Sequence, residues 1–368
     1  MMPRINNRTN RIFGIDLLRV IAIFFVVHGH GAFLLQQSML APFANIPFSY
    51  EVDIFFILTG YLIGGALIAS SEKHPLTIRE NALLFYAKTA LRILPCYFVM
   101  IVVNYLAVRF HVVQGNTDVT PLWRFFTMTQ NVFTPFYDFF WESWCLPVQW
   151  WFYLLFPLLL ILMTRKFSAR TAVPIISLFF ILLTIIYRIS VSKYAQDDFW
   201  WGAWIRKTVA SRFDNIFIGV LAAWFRHYHA DKWERHPVVC LLIGLAIMVF
   251  VCLLPRHIGT VYTNVFALTV PPVAIALWLP FFSKIKSCDS LFGRIITGAS
   301  TLSYAMYLTN LLVCQLISAH FNENFLRMGV WGYLLYWIIV LAASFLLHIA
   351  VEKPFMRIRA GLNTGNRE

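Results

Sequence analysis

The sequence predicts an all-α fold, a polytopic membrane helical bundle of about ten transmembrane helices with both termini cytoplasmic. Three observations carry that expectation. Of the 368 residues, 60% are hydrophobic and only 13% charged, against about 45 to 50% and about 25% in soluble domains, so the chain has too little polar surface to cover itself in water. Ten separated apolar runs approach the length of about 20 residues that crosses a bilayer as a helix. Lys and Arg are more frequent in every second connection, the bias expected when those connections face the cytoplasm.

The runs lie near residues 14 to 35, 52 to 70, 93 to 108, 145 to 164, 172 to 187, 213 to 225, 237 to 255, 261 to 282, 297 to 318 and 330 to 350. The first follows Arg4, Arg8 and Arg11 and has no small-residue cleavage site behind it, so it is expected to be a retained helix and not a signal peptide. The sixth is short, with the least defined limits. With the N-terminus in the cytoplasm, alternation puts twenty of the 30 Lys and Arg inside and nine outside, Arg19 lying within the first span. The basic N-terminus (1–13) and basic tail (353–368) then share the cytoplasmic side.

One connection breaks the pattern. Residues 188 to 212 would place Arg188, Lys193, Arg206, Lys207 and Arg212 outside, beside Asp197, Asp198 and a Trp200-Trp201 pair. Either a helix is miscounted there or the loop receives an external, acidic acceptor. Polar connections are also expected at 36 to 51, 71 to 92 and 109 to 143. Within the last, 121 to 143 carries Trp123, Phe125, Phe126, Phe133, Phe136, Tyr137, Phe139, Phe140 and Trp141; such rings favour the membrane interface, which predicts a helix or re-entrant stretch at the outer surface. No repeat, Gly/Ser linker or low-complexity tract divides the chain, so residues 1–368 read as one domain. The net charge of +13 is spread out and forms no stripe, which reads as a topology signal and not as a nucleic-acid footprint; membrane lipids are the expected surroundings. The six cysteines are scattered, mostly in apolar runs, and suggest neither a disulfide framework nor a zinc site.

Ionisable groups inside spans are costly and mark function by default, and the first run holds Asp16, Arg19, His28 and His30. At about 100° and 1.5 Å per residue, Arg19 and His30 fall within about 20° of one face and about 16 Å apart, Asp16 is about 60° from Arg19, and His28 is about 180° from it. Arg19 and His30 should therefore face the bundle interior together, Arg19 nearer the cytoplasm and His30 nearer the outside. His30 is the candidate general base, since a neutral imidazole titrates near physiological pH. The bland alternative is that Asp16 and Arg19 form an interfacial ion pair and the histidines only satisfy helix contacts. A metal pair at His28 and His30 is disfavoured, because i, i+2 side chains on a helix point apart.

Asp53 opens the second run, and Gly60, Gly64 and Gly65 would let a helix or a ligand approach closely. Lys88 and Arg92, one helical turn apart at the inner end of the third run, either clamp a polyphosphate or obey the positive-inside bias. A transporter is the alternative reading of such polar intramembrane residues, although they concentrate near the chain start and paired broken helices do not recur.

Ile15-Asp16-Leu17-Leu18-Arg19, with His30 eleven positions after the arginine, resembles the Arg-x10-His signature of the acyltransferase-3 family of membrane-bound O-acyltransferases. The run Val52-Asp53-Ile54-Phe55-Phe56-Ile57-Leu58-Thr59-Gly60-Tyr61 is similar to its second-helix motif. Phe85-Tyr86 through Arg92-Ile93-Leu94-Pro95-Cys96-Tyr97 resembles the third. Ser143-Trp144-Cys145-Leu146-Pro147-Val148-Gln149 through Phe152-Tyr153 looks like the family's Ser-Trp-Ser-Leu-x-x-Glu-x-x-Phe-Tyr run. Ser303-Tyr304, Tyr307-Leu308 and Val351-Glu352-Lys353-Pro354-Phe355 complete the order, so the resemblance spans residues 11 to 358.

The resemblance implies a bacterial inner-membrane enzyme that moves an acyl group, acetyl by expectation, from cytoplasmic acetyl-CoA to a hydroxyl of an envelope glycan. The acceptor would be a glycan or lipid-linked glycan on the periplasmic side, with lipopolysaccharide O-antigen the leading choice and no metal required. It implies catalytic roles for His30, Arg19 and Asp16, donor contacts from Lys88, Arg92 and Tyr97, and substrate contacts from Asp53, Trp144, Gln149 and Tyr153. Direct attack assisted by His30 and a route through acetyl-His30 both fit. No esterase-like domain of the kind some relatives append is evident, so one membrane unit is expected to perform the whole transfer. Two positions depart from the family: Gln149 stands where Glu is usual, and Asn310 where His is common. An amide cannot accept a proton as a carboxylate can, and natural divergence and a silencing substitution predict the same letter at 149.

Overall fold

In lipid every backbone N–H and C=O must be satisfied within the chain, which leaves helices and closed barrels as the spanning solutions. The computed structural model describes residues 11–46, 49–73, 75–136, 139–255, 257–320 and 328–362, without the side chains of 73–81; within these there is no strand. The principal helices are α1 (Phe13–Gly31), α2 (Glu51–Lys73), α3 (Pro75–Arg109), α4 (Cys145–Met163), α5 (Ala169–Val191), α6 (Phe213–Tyr228), α7 (Pro237–Leu253), α8 (Val270–Phe282), α9 (Leu291–His320) and α10 (Val330–Leu347), followed by the tail helix α11 (Lys353–Gly361). Among the described residues, seven helices are long and apolar enough to cross a membrane, namely α1 to α5, α9 and α10. The other three, α6, α7 and α8, are shorter, at 16, 17 and 13 residues. Arg4, Arg8, Arg256, Arg327 and Arg367 of the charge bias, and Tyr137 of the aromatic segment, lie outside the described residues.

Three expectations are corrected. The polar connection expected at 71 to 92 is largely helix, because α3 begins at Pro75. Proline suits the first helical position, and hydropathy registers only the later, apolar part of the helix. The run at 261 to 282 divides into a π-helical turn, Tyr262–Phe266, and α8. Pro271 and Pro272 lack the N–H groups that would continue the first segment. The aromatic stretch is less superficial than its composition suggests. It forms one short helix, Leu122–Phe126, and a 3-10 turn, Trp141–Trp144; Phe125, Phe136, Phe139 and Phe140 are buried, whereas Trp123, Phe133 and Trp141 stay exposed. The rings of Phe125 and Phe139 meet at 4.5 Å.

Glycine sets the closest helix crossing. A Cβ on Gly60 would lie 1.9 Å from the Ile216 carbonyl oxygen, and one on Gly219 would lie 2.3 Å from that of Ile57. The backbones of α2 and α6 therefore touch, and of the two readings of Gly60, packing accounts for the residue.

Polar groups pin the same region. Arg188 and Arg212, expected in an outer loop, are 0% and 1% exposed. Arg188 donates to Asp214 at 2.8 Å, to the Ser211 carbonyl at 2.6 Å and to Thr269 at 2.7 Å, while Arg212 pairs with Asp53. Buried ions persist only where paired and hydrogen-bonded, and these two arginines hold α5, α6 and α2 together.

At one face, α1 starts against the end of α8, where the Phe13 and Gly14 N–H groups donate to the Lys286 and Ile285 carbonyls at 3.1 and 2.9 Å. We call this the Arg11 face, and the opposite one, where α2 begins, the Glu51 face.

Candidate active site

A cavity of about 110 Å³ lies between α1, α2, α3, α4 and α9. Its polar lining is Arg19 from α1, Thr59 from α2, Arg92 from α3, Gln149 and Tyr153 from α4, and Ser303, Tyr304 and Tyr307 from α9. Helical spacing explains the gathering: Gln149 and Tyr153 are four residues apart, as are Ser303 and Tyr307, so each pair stacks on one helix face.

Cations collect at the Arg11 end. Arg19 and Arg92 act on one another electrostatically, Arg92 also acts on Arg359 of α11, and Tyr153 lies within range of both Arg19 and Arg359. Asp16 is the anion paired with Arg19, at 3.5 Å. It is buried and also accepts from Arg11 at 2.9 Å and from the Ser300 hydroxyl at 2.7 Å, so it ties the chain start to α9 and steadies Arg19 from outside the cavity lining. Arg359, which reads in the sequence as one more tail cation, is the member that sequence reasoning misses. Its signal is only that Arg357 and Arg359 follow the Val351-Glu352-Lys353-Pro354 motif.

At the other end, Tyr307 stands three residues before Asn310, whose side-chain oxygen meets His30 Nδ1 in a short hydrogen bond. The amide is oriented: Asn310 Nδ2 donates to the Met306 carbonyl at 2.8 Å and the Tyr307 carbonyl at 2.7 Å, which leaves Oδ1 toward the imidazole. An amide oxygen only accepts, so the proton resides on His30 Nδ1 and Nε2 is the basic nitrogen. Asn310 thus performs with an amide the orienting task that a ring nitrogen could perform there. The His30 backbone is held as well, its carbonyl accepting from Cys314 Sγ at 3.2 Å.

Beyond His30, the charged groups acting on the ring are Glu51, Lys207 and Arg206. Arg206 pairs with Glu51 at 3.2 Å and donates to the Ser49 carbonyl at 2.8 Å. Burial, with Arg206 beside it, lowers the Lys207 ammonium below its ordinary pKa.

The remaining sequence candidates stand apart from this axis. His28 faces elsewhere, bonded to the Tyr333 hydroxyl and the Phe43 carbonyl at 2.9 Å each, as the 180° separation predicts. Asp53 is committed to Arg212 and Asn215, and Trp144 packs on Arg212, whose guanidinium sits 5.7 Å from its ring centre. Tyr97 is buried against Phe140, donating to the Phe125 carbonyl at 3.0 Å. Lys88 is one turn from Arg92 on α3, outside the cavity lining. Among the described residues, no three His, Cys, Asp or Glu side chains are grouped as a metal site needs.

A family model described as an acyltransferase domain matches residues 12–352, nearly the whole chain. The chain belongs to the acyltransferase-3 family. Membrane acyl transfer is accordingly its activity class. The chain is 25% identical to Nodulation protein 10 of Rhizobium leguminosarum bv. viciae over 94% of both chains. It is also 25% identical to an uncharacterized protein of Haemophilus influenzae, over 61% of this chain and 96% of that one. No solved structure matches.

Proposed function

We propose that this acyltransferase moves an acetyl group from acetyl-CoA, bound from the Arg11 face, to a hydroxyl of an envelope carbohydrate arriving from the Glu51 face. The Arg11 face would be cytoplasmic in a bacterial inner membrane, and the preferred acceptor is the O-antigen of lipopolysaccharide. One observation supports the reading: a single cavity begins among arginines and ends at Tyr307, one turn along α9 from the buried Asn310 amide that sets the tautomer of His30, the imidazole itself standing just outside the lining.

In this scheme Arg92 and Arg359, with Lys88 a turn away, hold the donor phosphates through charge-assisted hydrogen bonds. Arg19 orients the thioester arm. At about 16 Å along α1 from His30 it is too distant to meet the oxyanion, and Asp16 is a positioning residue acting through it. The acceptor hydroxyl attacks the thioester carbonyl carbon, giving its proton to His30 Nε2; the new C–O bond forms, the C–S bond breaks, and the departing thiolate takes the proton from the imidazolium. Gln149, Tyr153 and Thr59 line the thioester passage. Asp53, Trp144 and Tyr97 shape the site from behind its walls.

General-base assistance contributes about 10² to 10⁴-fold, so His30→Ala is expected to reduce transfer by that factor in a folded, membrane-inserted protein. The measurement is mass spectrometry of envelope-glycan acetylation in cells carrying either form. Near-normal acetylation with His30→Ala would overturn the assignment.

A further inference from the structure

Glu142 has no part in the scheme above, yet its position is unusual. It sits in the 3-10 turn leading into α4, is 4% exposed, and neither carboxylate oxygen has a hydrogen-bond partner from another residue. Buried polar groups are almost always satisfied, and the exceptions call for an explanation. A structural carboxylate in so apolar a place would normally have been given an arginine, as Asp53 and Asp214 have.

Its surroundings indicate where it acts. The backbone of Glu142 is fixed on α9, its carbonyl accepting from the Tyr307 hydroxyl at 2.5 Å. The side chain acts electrostatically on Tyr307, Cys145 and Cys314. Tyr307 and Cys145 line the far end of the cavity, and Cys314 is bonded to the His30 carbonyl. The turn that carries Glu142 is therefore anchored through Tyr307 at the end of the donor cavity nearest His30, where two substrates have to meet.

We propose that Glu142 is an acceptor-binding residue: its two oxygens take hydrogen bonds from neighbouring hydroxyls of a sugar or similar polyol and hold the reacting one toward His30. Two hydroxyl donors from the acceptor would hold this carboxylate in its ionised form, in which it provides two acceptor atoms and no donor, and bidentate contacts of this kind set geometry as well as affinity. The donor thioester has nothing to offer it. The role is therefore specific to the acceptor, and it rests on the transferase reading above.

The test uses the full chain purified in detergent, radiolabelled acetyl-CoA, and two acceptors: water, followed as acetyl-CoA hydrolysis, and a panel of methyl glycosides of common hexoses. Glu142→Gln keeps shape but exchanges one acceptor oxygen for a donor; Glu142→Asp keeps charge but draws it back. With Glu142→Gln, the KM for the best glycoside should rise at least about tenfold, the scale of a lost hydrogen bond to a charged group. Acetyl-CoA KM and the hydrolysis rate should stay within about twofold of the parent, and Glu142→Asp should fall between the two. An unchanged glycoside KM would overturn the proposal. So would a loss confined to kcat, which would make Glu142 a base, or a parallel loss of hydrolysis and transfer with a lowered thermal midpoint, which would make it structural. A parent protein that binds acetyl-CoA but acetylates no glycoside would sink the transferase reading itself, and this inference with it.

Discussion

Replacing Asn310 by alanine is the most searching perturbation of the site, because its effect can be worked from three hydrogen bonds. The amide N–H groups are tied to the Met306 and Tyr307 carbonyls at 2.8 and 2.7 Å, and the remaining oxygen receives His30 Nδ1–H. Without that oxygen a partly buried donor is left unmet, at a cost of about 1 to 3 kcal/mol. The ring can escape the cost by moving its proton to Nε2 or by turning, and either removes the basic nitrogen from the acceptor's path. At about 1.4 kcal/mol per decade, transfer should slow by about 5- to 150-fold. The assay is release of CoA thiol at saturating donor and acceptor, with the acetyl-CoA KM expected to stay within about twofold. In a His30→Ala background the same change should cost nothing further, since the two residues form one unit. A single variant that keeps its full rate, or a further loss on top of His30→Ala, would refute the tautomer argument.

Three other outcomes follow from the same geometry. Asp53→Asn strips Arg212 of its counter-charge in a buried pair and should cost about 3 to 5 kcal/mol of stability, read as the detergent-solubilised unfolding midpoint; an unmoved midpoint would show that the pair is not structural. Gly60→Ala, whose Cβ would meet the Ile216 carbonyl oxygen at 1.9 Å, should destabilise the α2–α6 crossing by about 1 to 3 kcal/mol. Gly29→Ala is its control, with no atom within 4 Å of the new Cβ, and should be neutral or stabilising by up to about 1 kcal/mol. Arg92→Glu should raise the acetyl-CoA KM by about tenfold or more while the acceptor KM moves less than about twofold; equal shifts in both would dispose of the phosphate clamp.

Much of the fold was legible before any coordinates. The ten apolar runs correspond to α1 to α10, and even the short sixth run, 213 to 225, lies within α6. Helical periodicity put Arg19 and His30 on one face and His28 on the other, and the hydrogen bonds of His28 to Tyr333 and Phe43 bear out that division. Hydropathy failed where polarity and burial part company. Arg188 and Arg212 look like loop cations because a single residue's chemistry says nothing of the carboxylates at 214 and 53 that await it. The polar start of α3 looks like a connection because a window tuned to apolar runs cannot register the polar part of a helix.

Residue chemistry and spacing in the chain alone determined the membrane environment, the helical class and the face of α1 that Arg19 and His30 share, since all of these are local properties of length, hydropathy and the 3.6-residue turn; the order of its motifs pointed to the family by resemblance. Tertiary structure alone decided which side chains meet across helices. It set Asn310 against His30 across 280 residues of sequence, drew Arg359 toward Arg92, and left Glu142 buried with neither oxygen bonded to another residue. Those encounters depend on how separate helices cross and rotate, and that is fixed by packing contacts such as Gly60 on Ile216, which no single segment of the chain encodes.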